Sequence, residues 1–309
     1  MSARHIAYLY LLLAMLGAGS TVVVSKLVSA SLPPFTATAI RFGMALPLFL
    51  LLMCWRRGDW PRPCRHDWLI LTLQAGAGSV GYTVLLLAGV HWSSAASASV
   101  MMGTLPAVSS LLALLLFREG MQWRQGLALL LCSAGAVMVS LRTGAGLSFG
   151  SAGELAGNGL ILLAVACEAL FILLNRRLRQ PLPPLVLSTY LCGLGLLLAA
   201  PAAVLEWQGH WHVPTAALLG LAYYAVVPTV LGFVLWYAGA ARVAAGEAAL
   251  FSAVLPVSAL LFAAGLLQEE IRRSQLLGMA CVLAALLLQL LPTLRQSKSF
   301  GAAGVAGTK

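Results

Sequence analysis

Few residues in this chain can do chemistry, since it holds only 9 Asp and Glu and 19 Lys and Arg among 309 residues. Two of these charges fall inside long apolar runs. Glu168 stands among Ala and Leu in the run 155–174, and Arg41 stands roughly two turns into the run 35–54. An ionisable group near the centre of a hydrocarbon layer costs about 2.5 to 3.5 kcal/mol on insertion scales, so it needs a partner or a purpose. A carboxyl that gains and loses a proton between two states is what proton-coupled antiport requires, which makes Glu168 the coupling candidate. The other reading is a static partner for Arg41. Arg41 could receive a substrate carboxylate through paired hydrogen bonds, or serve in a structural pair.

Three prolines point to the same region. Proline inside a helix removes one hydrogen bond and pushes away the carbonyl four residues earlier, so Pro106, Pro228 and Pro256 would release the carbonyls of Met102, Tyr224 and Ser252. Released carbonyls in lipid must face protein or water. The expected arrangement is a cavity lined by Arg41, Tyr82, Thr104, Tyr224 and Ser252, with the three prolines as helix breaks that gate it. The competing account is a packing kink satisfied by nearby Ser or Thr. Thr104 shares a helical face with Ser93, Ser97, Met101 and Val108, and small polar faces in membranes also serve close helix packing.

Other constellations fail. Gly76-Ala77-Gly78-Ser79-Val80-Gly81 satisfies GxGxxG by letters, but no strand precedes it, so it reads as a packing surface rather than a dinucleotide loop. His210-Trp211-His212 supplies two imidazoles on a short loop, which is no metal site. No HExxH or GxSxG is present, so neither a metal nor a catalytic residue is expected and an intramembrane enzyme is the least favoured class. Glu119, Glu269 and Glu270 sit beside Arg118, Arg272 and Arg273 at helix exits, where interfacial salt bridges are the default expectation.

The elements that position these residues must lie in lipid, because 61% hydrophobic and 9% charged residues do not describe a soluble domain. A spanning helix needs about 20 apolar residues, and ten windows qualify: 7–27, 35–54, 68–88, 95–117, 123–141, 155–174, 185–205, 215–237, 244–267 and 275–291. The first continues through Val22-Val23-Val24 and reads as an uncleaved span rather than a secretory signal. The six cysteines suggest no disulfide framework, four of them lying within apolar runs.

The chain also repeats itself at an offset of 150 residues. Leu32-Pro33-Pro34 returns as Leu182-Pro183-Pro184, Pro106 as Pro256, Glu119 as Glu269, Ala88-Gly89 as Ala238-Gly239, and basic Lys26 as Arg176. Ten spans therefore divide five and five, and an odd number inverts the second copy relative to the first. Arg and Lys crowd the loops that share a side with the N-terminus, while the other side holds Lys26, Arg142, Arg272 and Arg273. That asymmetry places both termini in the cytoplasm. It accounts for the net charge of +10 without nucleic acid.

A small-residue first span ending in Lys26, a turn at Pro33-Pro34, Arg41-Phe42 in the second span, Pro106 in the fourth, and Glu119 followed by Gly126 resemble one EamA-type repeat. Pro256, Glu269 and Gly278 resemble the second. The chain thus resembles a ten-helix member of the drug/metabolite transporter superfamily over residues 7–291, although Arg41 maps to Leu191 and the stretch from Glu269 to Gly278 is longer than its counterpart. The expected fold is an all-α integral membrane protein of ten transmembrane helices in two inverted five-helix repeats, 1–142 and 143–294, with a cytoplasmic tail 295–309. The resemblance implies secondary-active export of small metabolites, such as amino acids or related compounds, by alternating access through a central cavity. A passive channel or facilitator and a multidrug efflux carrier are the alternatives. No cofactor is expected beyond a coupled proton. The expected partners are a small-molecule substrate and membrane lipid, with a monomer sufficient and a homodimer conceivable. A bacterial inner membrane is the expected location.

Overall fold

A computed structural model describes residues 3–56, 60–118, 122–143, 147–149, 151–206, 213–243, 248 and 251–288. Helix α1 (Ala3–Ser29) leads through a tight turn to α2 (Pro34–Arg56), which opens on proline, where a missing N–H costs nothing. The next two freed amides are met from outside: Glu206, last residue of α9 (Pro184–Glu206), accepts from Phe35 N at 3.3 Å and Thr36 N at 2.8 Å. A carboxylate at a helix N-terminus satisfies orphan donors and the helix dipole together.

Helix α3 (Arg65–Gln74) runs through a π-helical stretch, Ala75–Gly81, into α4 (Tyr82–Trp92). Helix α10 (Thr215–Tyr224) does the same through Ala225–Leu231 into α11 (Gly232–Ala240). The two π stretches begin at residues 75 and 225, so the sequence repeat is also a repeat of an uncommon backbone form. Smaller details recur at the same spacing. Arg118 and Gln268 both take a left-handed backbone with φ 53°. Gln125 Oε1 accepts from Gln122 N at 2.8 Å, as Gln275 Oε1 does from Arg272 N at 2.9 Å.

Helices α5 (Ala95–Met102) and α6 (Leu105–Phe117) form a pair bent by 51°. Helix α7 (Trp123–Ser140) ends in a short antiparallel hairpin, β1 (Leu141–Thr143) with β2 (Leu147–Phe149), in an otherwise helical chain. Helix α8 (Ala152–Asn175) starts from Ser151, whose hydroxyl accepts from Glu154 N. A 3-10 turn, Phe251–Ala253, leads into α12 (Val254–Leu266), and α13 (Arg273–Leu288) follows.

Among the described residues, seven helices are long and apolar enough to cross a membrane, corresponding to the expected first, second, third, fifth, sixth, seventh and eighth spans. The fourth expected span is the bent pair, while the ninth and tenth are represented by the shorter apolar helices Phe251–Leu266 and Arg273–Leu288, their windows running onto residues outside those described. The prolines sit differently from expectation. Pro106 is the second residue of α6 and Pro256 the third of α12, each just after a break. Their absent N–H groups therefore fall in a first helical turn, where no intrahelical acceptor is lost.

The core lies along the middle of the bundle, where Val22, Leu86, Val90, Met101, Ile161 and Val282 are buried. Large apolar side chains also face outward, with Leu51 66%, Leu130 69%, Leu197 68% and Leu205 87% exposed, a surface that water would not tolerate and lipid tails would cover. Helices α4 and α8 approach backbone to backbone. A Cβ on Gly89 would stand 2.9 Å from Gly157 O and 2.7 Å from Ile161 Cγ1. Its partner at the offset, Gly239, meets α1 in the same way, 3.0 Å from Ala7 O. Gly89→Leu should therefore cost about 1–3 kcal/mol through overpacking and lower the melting temperature of the detergent-solubilised protein. Gly159→Ala, where a Cβ meets nothing within 4 Å, should leave it unchanged.

Candidate functional site

A cavity of about 240 Å³ lies at the heart of the bundle. Its walls come from α1 (Ala18, Thr21), α2 (Arg41, Phe42), both π stretches, α4 (Tyr82), α8 (Val165, Glu168, Phe171), α10 (Tyr224), α11 (Phe233) and the two helix breaks (Met102, Leu105, Leu255). Five pairs of lining residues stand 150 apart: Ala18 and Glu168, Thr21 and Phe171, Gly78 and Pro228, Ser79 and Thr229, Leu105 and Leu255. The cavity therefore straddles the duplication.

Arg41 is 7% exposed, and its guanidinium carbon lies 4.3 Å from the Phe42 ring centroid and 4.5 Å from that of Tyr224. Cation–π attraction of this kind contributes about 0.5 to 2 kcal/mol per ring, more where water is excluded. Its Nε is buried with no hydrogen-bond partner, and so is the Tyr224 hydroxyl. Glu168 lines the same cavity without an ion pair to Arg41 within 4.0 Å, although the two charges act on each other. One cavity thus holds a fixed planar donor, an aromatic hydroxyl and a carboxyl.

The backbone around the site is repaired locally. Pro228 lies inside the second π stretch, and the Tyr224 carbonyl accepts from Thr229 Oγ1 at 2.8 Å. In the first stretch, Thr83 Oγ1 donates to Ser79 O at 2.8 Å, and Gln74 Nε2 donates to Phe171 O at 3.1 Å. Gly78 packs so closely on Phe171 that no side chain would fit. That matches the packing reading of the glycine run.

Of the expected site residues, Arg41, Tyr82, Tyr224, Glu168 and Pro228 come together in this cavity. Thr104 and Ser252 are not among its lining residues: Thr104 is 2% exposed and donates from Oγ1 to Met101 O at 2.7 Å, and Ser252 lies in the 3-10 turn before α12. Pro106 and Pro256 stay outside too, but the neighbours Leu105 and Leu255 reach in. The two breaks pack on each other, since a Cβ at Gly103 would come within 3.2 Å of Pro256 Cβ. Residues not anticipated are Thr21, Ser79, Phe171, Thr229 and Phe233. Thr229 carried a signal, a hydroxyl directly after the one proline of an aromatic apolar run.

A larger cavity of about 960 Å³ adjoins the first, with Phe233 common to both. Its walls include Phe49, Pro61, Pro181, Pro184 and Tyr237, and it reaches the surface at exposed Trp55, Arg56 and Arg242. The opposite end of the bundle is stitched instead. Lys26 Nζ donates to the carbonyls of Val90 and Ser93, Ser93 Oγ donates to Asn158 Oδ1, and Asn158 Nδ2 donates to Ser140 Oγ at 3.1 Å. Glu269 accepts from Ala95 N at 3.1 Å and Ala96 N at 2.9 Å, and Arg272 pairs with Glu154 at 2.9 Å. The expected salt bridges beside Glu269 thus give way to a helix cap, because bare amides at a helix start bind a carboxylate from two directions. Glu119 and the His210-Trp211-His212 loop lie outside the described residues. Among the described residues no group of three His, Cys, Asp or Glu could hold a metal ion.

A duplicated helical bundle with an apolar exterior and a polar cavity on the duplication is built as a membrane transporter. Residues 5–141 and 155–291 each match the EamA-like transporter family, and the chain belongs to that family, within the drug/metabolite transporter superfamily. It is 34% identical to the uncharacterized transporter YetK of Bacillus subtilis (strain 168), over 91% of this chain and 85% of that one. It is 25% identical, over 74% of each chain, to a Streptantibioticus cattleyicolor protein named "Probable terminal-alkyne amino-acid exporter". A solved crystal structure shares the fold with a TM-score of 0.65 at 18% identity, covering 95% of this chain and 99% of its own.

Thr229→Val should remove the hydroxyl bond to the Tyr224 carbonyl, at about 0.5–1.5 kcal/mol. A lower melting temperature is expected, with Thr229→Ser close to the parent.

Proposed function

We propose that the protein is a secondary-active exporter of small zwitterionic metabolites, amino acids or close relatives, working by alternating access. The observation that carries this reading is the Arg41 guanidinium, buried between two rings with Nε unpartnered, in the same cavity as Glu168, which makes no ion pair among the described residues. A substrate carboxylate would take Arg41 and the Tyr224 hydroxyl, and a substrate ammonium would be drawn to Glu168. Tyr82, Phe171 and Phe233 would enclose an apolar side chain. The naming of one relative as an amino-acid exporter supports the same class.

The proposed ten crossings are the seven long helices, the bent pair and the two shorter apolar helices. In the proposed topology they fall five and five in domains 1–142 and 143–294, the second inverted, with a tail 295–309. Both termini face the cytoplasm of a bacterial inner membrane, supported by the Lys and Arg asymmetry of the loops. The larger cavity then opens to the cytoplasm. The cycle needs no metal, cofactor or catalytic group, and one chain suffices. Glu168 carries the proton that returns as substrate leaves.

In proteoliposomes with an acidic interior, the parent should accumulate a labelled amino acid drawn from a thermal-shift screen. Glu168→Gln should abolish that gradient-driven uptake while keeping the parent's melting temperature. Arg41→Gln should lower apparent affinity at least tenfold, the loss of a charge-assisted hydrogen bond. Undiminished uptake by Glu168→Gln would remove the coupling role. Trans-side substrate should accelerate labelled efflux; its failure to do so would favour a channel.

A further inference from the structure

Helices α4 and α5 meet end to end at Ser93-Ser94, and the junction faces two opposite charges. The C-terminus of α4 presents carbonyls and the N-terminus of α5 presents amides, so the junction carries a negative and a positive helix end side by side. Lys26 Nζ donates to the Val90 and Ser93 carbonyls, and Glu269 accepts from the Ala95 and Ala96 amides. The two side chains also act on each other. Lys26 belongs to the first family copy and Glu269 to the second, so the junction is clamped from both halves at the end where the bundle is stitched.

The duplication gives this clamp a counterpart. At the 150-residue offset Lys26 becomes Arg176, and the accepting residues Val90 and Ser93 become Ala240 and Val243. Those three residues stand at the other end of the bundle, where the larger cavity reaches the surface beside Ala241 and Arg242. There Arg176 is exposed, and its side chain makes no hydrogen bond to the described residues. One basic residue of the pair is engaged at the stitched end while its copy is disengaged at the open end.

We propose that Lys26 and Glu269 are the gate residues of the stitched end, and that Arg176 is the matching gate residue of the open end. When the molecule switches, Arg176 closes on the carbonyls of Ala240 and Val243 as Lys26 leaves those of Val90 and Ser93. In this exchange a charged donor is replaced by its copy. This rests on the alternating-access reading above.

Hydrogen exchange of the full chain in lipid nanodiscs tests it without any substrate, reading the amides of residues 93–98 and 240–243. Lys26→Gln should raise exchange at 93–98 about tenfold, the effect of losing hydrogen bonds from a charged donor, and lower it at 240–243. Arg176→Gln should do the reverse. Lys26→Arg, still able to donate, should match the parent. No reciprocal change in Lys26→Gln, or a rise at both ends in Arg176→Gln, would overturn the proposal. Should Lys26→Gln raise exchange throughout by unfolding, Arg176→Gln decides, because it removes no side-chain hydrogen bond to the described residues: a fall at 93–98 supports the gate and no change overturns it. A parent that transports but shows no reciprocal exchange in the variants loses the gate alone. A parent that moves no solute, yet whose variants exchange reciprocally, loses the transport reading alone.

Discussion

The structure depends on one constraint: in hydrocarbon every backbone amide and carbonyl must find its partner inside the protein. An unbroken helix meets it automatically, but a helix that must bend around a cavity does not. Several of the irregularities here are met by a side chain. Thr229 covers the Tyr224 carbonyl in the π stretch of Pro228, Lys26 covers the end of α4, Glu269 the start of α5, and Glu206 the start of α2. Polar residues that read as scattered along an apolar sequence are thereby accounted for by the breaks they serve.

Duplication supplies the scaffold, and departures from it supply the chemistry. The π stretches, the left-handed Arg118 and Gln268, the glutamine caps and the glycine contacts of Gly89 and Gly239 all recur at one spacing. Against that background Glu168 stands opposite Ala18 and Arg41 opposite Leu191. Leu191 is 3% exposed and packs with Leu71, Ala75 and Leu187, so the second copy uses for packing the position where the first places its buried guanidinium. A symmetric pair of charges would double the desolvation cost without giving a substrate a head and a tail.

Most of this frame was legible in the sequence, because hydropathy and the repeat are both read one residue at a time. Arg41, Tyr82, Glu168 and Tyr224 stood out as polar or aromatic groups in apolar runs, and the structure gathers them. What escaped were the contacts that depend on where a helix breaks. Proline marks the neighbourhood of a break, but Pro106 and Pro256 begin the helices that follow, and the Gly103-Thr104 turn makes the bend itself. Thr104 was therefore expected in the cavity and instead closes on its own helix. The role of Glu269 escaped for the same reason: a glutamate beside Arg272 and Arg273 suggests an ion pair, and nothing local reveals that bare amides of α5 lie within reach.

The state of Arg41 follows from these terms taken together. An arginine near the bilayer centre costs about 2.5 to 3.5 kcal/mol on insertion scales, and stacking between Phe42 and Tyr224 offsets a large part of that without using any N–H donor. Cation–π contacts act on the faces of the guanidinium, while its hydrogen bonds lie in its plane. Flanking rings can hold the charge in place and still leave its edge free for a ligand. A lysine would not serve, since an ammonium has no plane and would spend its donors on the nearest carbonyl, as Lys26 does at the end of α4. The same chain thus uses its two kinds of cation differently: the ammonium closes backbone, and the guanidinium stays open toward the cavity.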